Sequence, residues 1–508
     1  MKKVLFLSAC ALAFVNCTYA QKDPVAEKFA GYITVKDATK HLSIIASDEF
    51  EGRETGTRGA DMAANYLSNE FKKLGLQGAN NGSYFLDVPL TSTSAKVTSF
   101  DVNGSQPVYG KDYTAGGITA NGTINASEVV FIGAATDVDL GNTDIAGKVV
   151  LVANETKAGS NESFRQVAAR FMGVLKTLQA KKPALILVAS SNARMRGVNG
   201  AERIALKKDG ATANATVPYF SITGAIADQL LKNSGKTYAQ IVEAAQVQTV
   251  KAAITVNYQY ITKDAKAVDV VGFLPGSDAK LKDEVLVFSA HYDHIGLNPN
   301  GPDKVNNGAD DDGSGTTGIL EIATAFTQAK KQGHGPRRSI LFLGNVGEEK
   351  GLLGSEYYTD HPVIPLNRTI ADLNIDMIGR TGFEHQGKAD SSDYVYVIGS
   401  AMLSTTLHKV NEEANTKYTN LVLDYKYDDP NDPNRFYYRS DHYNFAKHNV
   451  PIIFYFDGEH QDYHKPGDEV SKINFPLLVK RAQLVFYTGW DLANRDQRPV
   501  VDVVTESK

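Results

Sequence analysis

Cysteine and tryptophan are scarce: the 508-residue chain has two of the first and one of the second. Both cysteines, Cys10 and Cys17, fall in the first twenty residues, so without that segment the chain has neither disulfides nor thiolate metal ligands. Long apolar runs are missing too, since the one at 4–15 is too short to span a bilayer comfortably. No internal repeat or low-complexity tract interrupts the sequence. Neither sign of charge dominates: 53 basic residues stand against 58 acidic ones. Removing residues 1–20 takes away two lysines, leaving 51 against 58 and a net charge of −7. Such a mildly acidic chain has no electrostatic reason to bind nucleic acid or an anionic membrane.

At 42% hydrophobic and 22% charged, the composition is that of an ordinary globular protein, neither collagenous nor disordered. Its length predicts two or three structural units. Lys2 and Lys3, the apolar run, and Thr18-Tyr19-Ala20 before Gln21 predict a secretory signal at 1–20, cleaved after Ala20. The mature chain is then secreted or periplasmic, with no transmembrane segment. Lipid anchoring through Cys17 is the lesser alternative, because Asn16 stands where such sites carry a small residue.

Residues 21–104 begin the main domain with helical apolar periodicity at Ala60, Met62, Ala63, Tyr66, Leu67, Phe71 and Leu74. The polar stretch SDEFEGRETGTRG before it reads as a solvated connector. At 105–260 the pattern changes to short β-rich runs (127–133, 148–153, 184–189) around one helix at 162–181, as in a small α/β insert. From 261 to 508 strands alternate with helices: strands at 285–290, 339–344, 369–375, 394–398 and 451–456, helices at 314–329, 403–414 and 474–493. The continuous apolar run at 285–290 suits a strand covered on both faces. The fold expected is α/β, a mostly parallel sheet flanked by helices with a smaller β-rich insert.

Candidate metal ligands recur in this last region in the order His, Asp, Glu, Asp, His. They are His291 in SAHYDH, Asp311 in GADDDGSG, Glu349 in GEEKGLLGS, Asp376 in NIDMIG and His464 in DYHKPGD. Zinc takes imidazole nitrogen and carboxylate oxygen, and two zinc ions can share a carboxylate and a water. His291, Glu349 and Asp376 fall at or just after strand ends, where open α/β sheets gather their sites. Asp293 can accept the second ring N–H of His291 and fix its tautomer; His294 is a possible substitute ligand. Adjacent carboxylates in GADDDGSG call for a cation, although the spacing of a calcium loop is absent. Ser314 lacks the context of a nucleophile elbow. Of the adjacent Glu348 and Glu349, one can bind metal while the other takes a proton from water. A phenol at Tyr463 can steady an oxyanion. Manganese or cobalt could occupy the same donor set.

Together the blocks HYDH, GADDDGSG, GEEKGLLGS, NIDMIG, RSDHY and DYHKPGD resemble the di-zinc aminopeptidase family that includes glutamate carboxypeptidase and transferrin receptor. The insert, with DIAGKVVLV, resembles a protease-associated domain. The resemblance implies that Asp311 bridges two zinc ions, with His291 and Asp376 completing one site and Glu349 and His464 the other. It implies Glu348 as general base, Tyr463 as the tyrosine that stabilises the tetrahedral intermediate, and Arg439 as a residue holding the substrate terminus. It also implies a cis peptide between Asp311 and Asp312, which would aim the bridging carboxylate. The function it implies is N-terminal hydrolysis of a peptide substrate. Glutamate-releasing carboxypeptidase is the alternative, and the loop at 424–438 is as consistent with a pocket wall as with a solvated turn. The family's glutamine-cyclising branch fits less well, because both metal sites look complete. A peptide- or protein-binding module with structural metals is the reading from another class.

Overall fold

In the computed structural model, which describes residues 22–134, 143–155, 164–192, 195–208, 216–244, 246–391 and 393–503, the apolar runs of the C-terminal half become fully buried strands. Val285–His291, Ser339–Asn345 and Thr369–Ile375 are buried at every position. This is the physical consequence of near-continuous Val, Ile, Leu and Phe with layers packed on both faces. The expected leader, including Ala20 and Cys17, lies outside the described residues. Among the described residues no helix is long and apolar enough to cross a membrane.

The chain divides into two compact units: residues up to Val88 together with those from Lys266, and Pro89–Ala265. The boundaries at 105 and 260 therefore move outward. Composition changes near 105, but Phe85–Val102 is one continuous strand with alternating burial, so the backbone leaves the first unit in mid-strand. Gln248–Leu274 likewise runs through the second boundary as a single strand.

In the larger unit the strand order is Val422–Asp424, Tyr394–Ile398, Ile452–Phe456, Thr369–Ile375, Val285–His291, Ser339–Asn345 and the last residues of Gln248–Leu274. The four central strands pair in parallel. Antiparallel pairings flank them, Tyr394–Ile398 on Ile452–Phe456 and 270–274 on 340–344. The parallel register sets His291 opposite Asn345, so the carboxyl ends of neighbouring strands open at one edge. Helices Gly313–Lys331 and Phe475–Asn494 pack through Phe326 and Phe486, whose rings lie 4.9 Å apart. Burying an aromatic or branched side chain of this size contributes about 1.5–3 kcal/mol.

One buried group in this layer is expected to make stability depend on pH. Glu321, 1% exposed, accepts the Thr34 backbone N–H at 2.8 Å through Oε2, while Oε1 has no partner. Burial pushes its carboxyl from 4.5 up to about 8. The folded state thus keeps a proton that the unfolded chain releases. The contribution is full below about 4.5 and is lost as pH rises through about 8. Every tenfold difference in proton affinity between the two states is worth about 1.4 kcal/mol. Glu321→Gln, which keeps the acceptor, is expected to flatten the fall in melting midpoint between about pH 5 and pH 8. Parallel pH profiles for the two proteins would refute this.

The smaller unit places Gly122–Ala134, Val149–Ala153, Leu185–Ser190, Tyr219–Thr223 and Tyr113–Gly116 side by side. The pairings from 129–131 through 149–153 and 185–190 to 219–223 are parallel. Apolar clusters cover both faces, one around Phe100, Phe131, Leu151 and Phe220, the other around Val130, Val150, Leu175 and Leu178. The expected helix at 162–181 is seen as Phe164–Ala180, and residues before Phe164 lie outside the described ones.

Candidate metal centre

His291 closes its strand with Nε2 turned towards carboxylates: 3.4 Å from Asp311 Oδ1, 3.5 Å from Asp376 Oδ1 and 3.9 Å from Glu348 Oε2. Asp376 directly follows strand Thr369–Ile375, and Glu348 and Glu349 follow Ser339–Asn345. The other oxygen of Asp311 faces a second group. Oδ2 lies 3.1 Å from His464 Nε2, which is also 3.1 Å from Glu349 Oε2. His294 Nδ1 lies 2.9 Å from Glu349 Oε1. Thus all five expected ligands converge, in two clusters that share Asp311. Potential ligand atoms of His291, Glu348 and Asp376, and of His294, Asp311 and Glu349, each lie within 4.8 Å of one another.

The residues fit a pair of cations. His291 Nε2, His294 Nδ1, Asp311 Oδ2 and Glu349 Oε1 are buried without a hydrogen-bond partner, a costly state unless something else meets them. Among the described residues the ion-pair partners of Asp311, Glu348, Glu349 and Asp376 are histidines, with no lysine or arginine. Imidazole nitrogen with carboxylate oxygen is a zinc donor set. Glu348 is the most distant of the groups around His291 and keeps part of its side chain in contact with solvent.

Burial drives the Asp311 carboxyl upward, but the contacts from His291 and His464 outweigh it and hold the group well below the usual carboxylate range. For His464 burial lowers the value, and the opposing contacts of Asp311 and Glu349 push the imidazole up to about 10. Glu348 is raised well above the ordinary range by burial, with His291 opposing and the charges of Glu349 and Asp376 adding to the rise.

Asp312 ties the site together. Its carboxylate accepts the backbone N–H of His291 at 3.2 Å, of Met377 at 3.0 Å and of Gly315 at 2.8 Å, the last as N-cap of helix Gly313–Lys331. A Cβ at Gly315 would lie 2.4 Å from that carboxylate, which explains the glycine. The Asp311–Asp312 peptide is cis. Asp468 accepts the N–H groups of Asp310 and Asp311 at 3.0 and 3.1 Å. Ser314 Oγ donates to Asp310 O at 2.7 Å and accepts from Ile378 N, a structural post.

Asp293 departs from expectation. The closest acceptor for His291 Nδ1 is the Asp293 backbone carbonyl at 3.0 Å, whereas its carboxylate lies 3.8 Å away. That carboxylate is taken by Thr55 Oγ1 at 2.5 Å and by the Glu348 N–H at 3.3 Å. It therefore positions the Glu348 backbone. His294 does not replace His291, since the two rings serve different clusters.

The stretch read as a solvated connector is partly internal: Phe50, Gly52, Arg53, Thr55 and Gly59 are buried, while Asp48, Glu49, Gly56 and Arg58 are exposed. Arg53 is fully buried and donates to the carbonyls of Tyr292, Ile45, Asn307 and Gly308 at 2.6–2.9 Å. Thr55 is buried beside Asp293. The available signal was an arginine set among glycines and acids with no apolar neighbour to explain it.

Beside the clusters lies a pocket walled by Met377, Phe436, Phe454 and Phe456, with Glu348, Asp376, Arg439, Glu459 and Tyr463 around it. The loop at 424–438 divides the two expectations for it: Phe436 lines the pocket, while 429–431 are exposed. Tyr463 stacks on His464 with ring centroids 3.9 Å apart. Arg439 donates to Glu459 at 2.8 Å and lies 3.4 Å from the Tyr463 hydroxyl, so its charge is already partnered. Glu459, which carried no motif signal, is the residue that decides this.

Residues 269–489 match the model of peptidase family M28. Leucine aminopeptidase 2 of Trichophyton equinum is 26% identical over 283 residues, 51% of this chain and 50% of that protein. A probable leucine aminopeptidase of Arthroderma benhamiae is 27% identical over 282 residues, 54% of this chain and 68% of that one. The chain thus spans about half the length of the first curated relatives it matches. An aminopeptidase from Aneurinibacillus sp. strain AM-1 superposes with a TM-score of 0.59 at 17% identity, covering 94% of this chain and 98% of that one. The zinc aminopeptidase of Bacillus subtilis does so with a TM-score of 0.53 at 17% identity, covering 93% and 98%. At these identities the likeness is one of fold: a large mixed sheet flanked by helices.

Proposed function

We propose, from the match of residues 269–489 to the model of peptidase family M28, that the chain is a zinc-dependent aminopeptidase acting on peptides with apolar N-terminal residues. The reading is carried by two clusters of buried, unpartnered nitrogen and oxygen atoms that share Asp311 and border a pocket with one wall of Met377, Phe436, Phe454 and Phe456. His291, Asp376 and one Asp311 oxygen would hold one ion; Glu349, His464 and the other Asp311 oxygen would hold a second. When bound, such a pair supplies Lewis acidity to the scissile carbonyl and to the attacking water.

The chain's own groups do the rest. Glu348 takes a proton from the attacking water and passes it to the leaving amine. The Asp293 carboxylate, holding the Glu348 N–H, keeps that side chain at the pocket. The Tyr463 hydroxyl donates to the substrate oxygen as negative charge builds there, and stacking on His464 orients its ring. Met377, Phe436, Phe454 and Phe456 take the apolar side chain and exclude water.

Charge supports the N-terminal end. A substrate ammonium entering the pocket meets Glu348, Asp376 and Glu459. A substrate carboxylate would need a free cation, and Arg439 is engaged by Glu459. With zinc-loaded protein, peptides with free N-termini are expected to be cleaved, acetylation to block cleavage, C-terminal amidation to spare it, and a chelator to stop it. Leu- or Phe-leading peptides should exceed Asp-leading ones by more than about tenfold in kcat/KM. Cleavage blocked by amidation instead would move the reading to carboxypeptidase.

The smaller unit, Pro89–Ala265, is assigned by the same proposal as a protease-associated insert, and residues 1–20 as an export signal. N-terminal sequencing of the exported protein is expected to begin at Gln21; a lipid-modified Cys17 would replace this with the anchored form.

A further inference from the structure

His294 is wholly buried, and neither of its ring nitrogens has a hydrogen-bond partner. A polar atom buried unpaired costs about 1–3 kcal/mol. Its Nδ1 lies 2.9 Å from Glu349 Oε1 and 3.7 Å from Asp311 Oδ2. The shorter distance suits a hydrogen bond, yet the alignment of one is missing and Glu349 Oε1 is itself unpartnered. Atoms that face a common point, not one another, stand in this relation. His464 Nε2 is 3.1 Å from Asp311 Oδ2 and 3.1 Å from Glu349 Oε2. With zinc–ligand distances of about 2.0–2.1 Å, neighbouring ligands of a tetrahedron are about 3.3 Å apart. The observed separations bracket that value.

We propose that His294, through Nδ1, is a fourth side-chain ligand of the metal position formed by Asp311, Glu349 and His464; this rests on the zinc aminopeptidase reading. The surroundings hold the ring in place. The His294 backbone N–H donates to Arg53 O at 3.1 Å, and a Cβ on Gly308, at φ +55°, would come within 2.5 Å of the ring. His464 is the solvent-facing ligand, its side chain 38% exposed, and His294 grips from the buried side. The two halves of the centre are then unequal. Four side chains close the His294 position, in the manner of tightly held zinc, while the His291 and Asp376 position keeps an open place beside Glu348.

Cobalt(II) titration of the metal-free protein, followed by visible absorption and metal content, tests the proposal. The native chain is expected to bind two ions in separable steps. His294→Ala should weaken one step by at least about tenfold, the loss seen when even a residue supporting a ligand is removed, and should alter that ion's spectrum alone. Because the variant can misfold, a second measurement uses the native chain labelled with ¹⁵N-histidine and loaded with ¹¹³Cd. Three imidazoles should show one-bond cadmium coupling, His294 at Nδ1. Unchanged steps in His294→Ala, or only two coupled imidazoles, would overturn the proposal. Three coupled imidazoles in a chain that cleaves no peptide would uphold it and sink the aminopeptidase reading. Two in an active enzyme would do the reverse, and a chain that takes up no metal would sink both.

Discussion

Glu348→Gln is expected to lower kcat by about 10²–10⁴-fold, the usual worth of a positioned general base, while two zinc ions per chain remain bound. Glu348 stands next in sequence to Glu349 but in space belongs beside His291, at 3.9 Å from Nε2, the longest of the separations around that ring. Asp311 and Asp376 sit closer, at 3.4 and 3.5 Å. Its carboxylate also lines the pocket that a substrate would enter. Glutamine keeps the shape and removes the basic oxygen, so binding of substrate and metal should survive and only proton transfer should fail. Metal content measured alongside turnover decides the matter. Loss of an ion from Glu348→Gln would make Glu348 a ligand; turnover within about threefold of the native value would remove it from the chemistry.

Arg53→Met is expected to destabilise the larger unit by at least about 3 kcal/mol, with charged-donor hydrogen bonds contributing about 1.5–3 kcal/mol each and not adding fully. The guanidinium, wholly buried, donates to Ile45, Tyr292, Asn307 and Gly308. Those carbonyls belong to the end of helix Val35–Ile45, the turn after His291 and the turn before Asp311. Methionine fills the volume and leaves all four carbonyls unsatisfied. Lysine, with one compact ammonium in place of a planar fork, can satisfy only some of them. Melting midpoints should therefore rank native, Arg53→Lys, Arg53→Met, with the last more than about 5 °C below the first. Cobalt affinity should fall with it, since the segments that carry His291 and Asp311 lose their common anchor. A melting midpoint within about 1 °C of native would show that the carbonyls find other partners.

Much of the larger unit was legible because burial on both faces of a parallel strand leaves a continuous apolar run. Val285–His291, Ser339–Asn345 and Thr369–Ile375 carry that mark, and each leads into polar residues that a sheet edge gathers. Gln248–Leu274 escaped notice because its lysines, tyrosines and threonines alternate with apolar residues and do not form a run. The helix Gly313–Lys331 was visible from its period and from the small residues that open it.

What the sequence determined by itself was the inventory and its order: five residues with the right donor atoms, three of them at or just after strand ends that open at one edge, with a spare glutamate beside them. Donor chemistry belongs to the side chain, and strand periodicity is local, so both can be read without coordinates. Only the tertiary structure decided which groups meet. It gave the ring proton of His291 the Asp293 carbonyl as its closest acceptor, set Glu459 on Arg439, turned a polar loop inward through Arg53, and aimed His294 at Asp311 and Glu349. Those outcomes depend on carbonyls and carboxylates contributed by segments far apart in the chain, and no local pattern of residues records them.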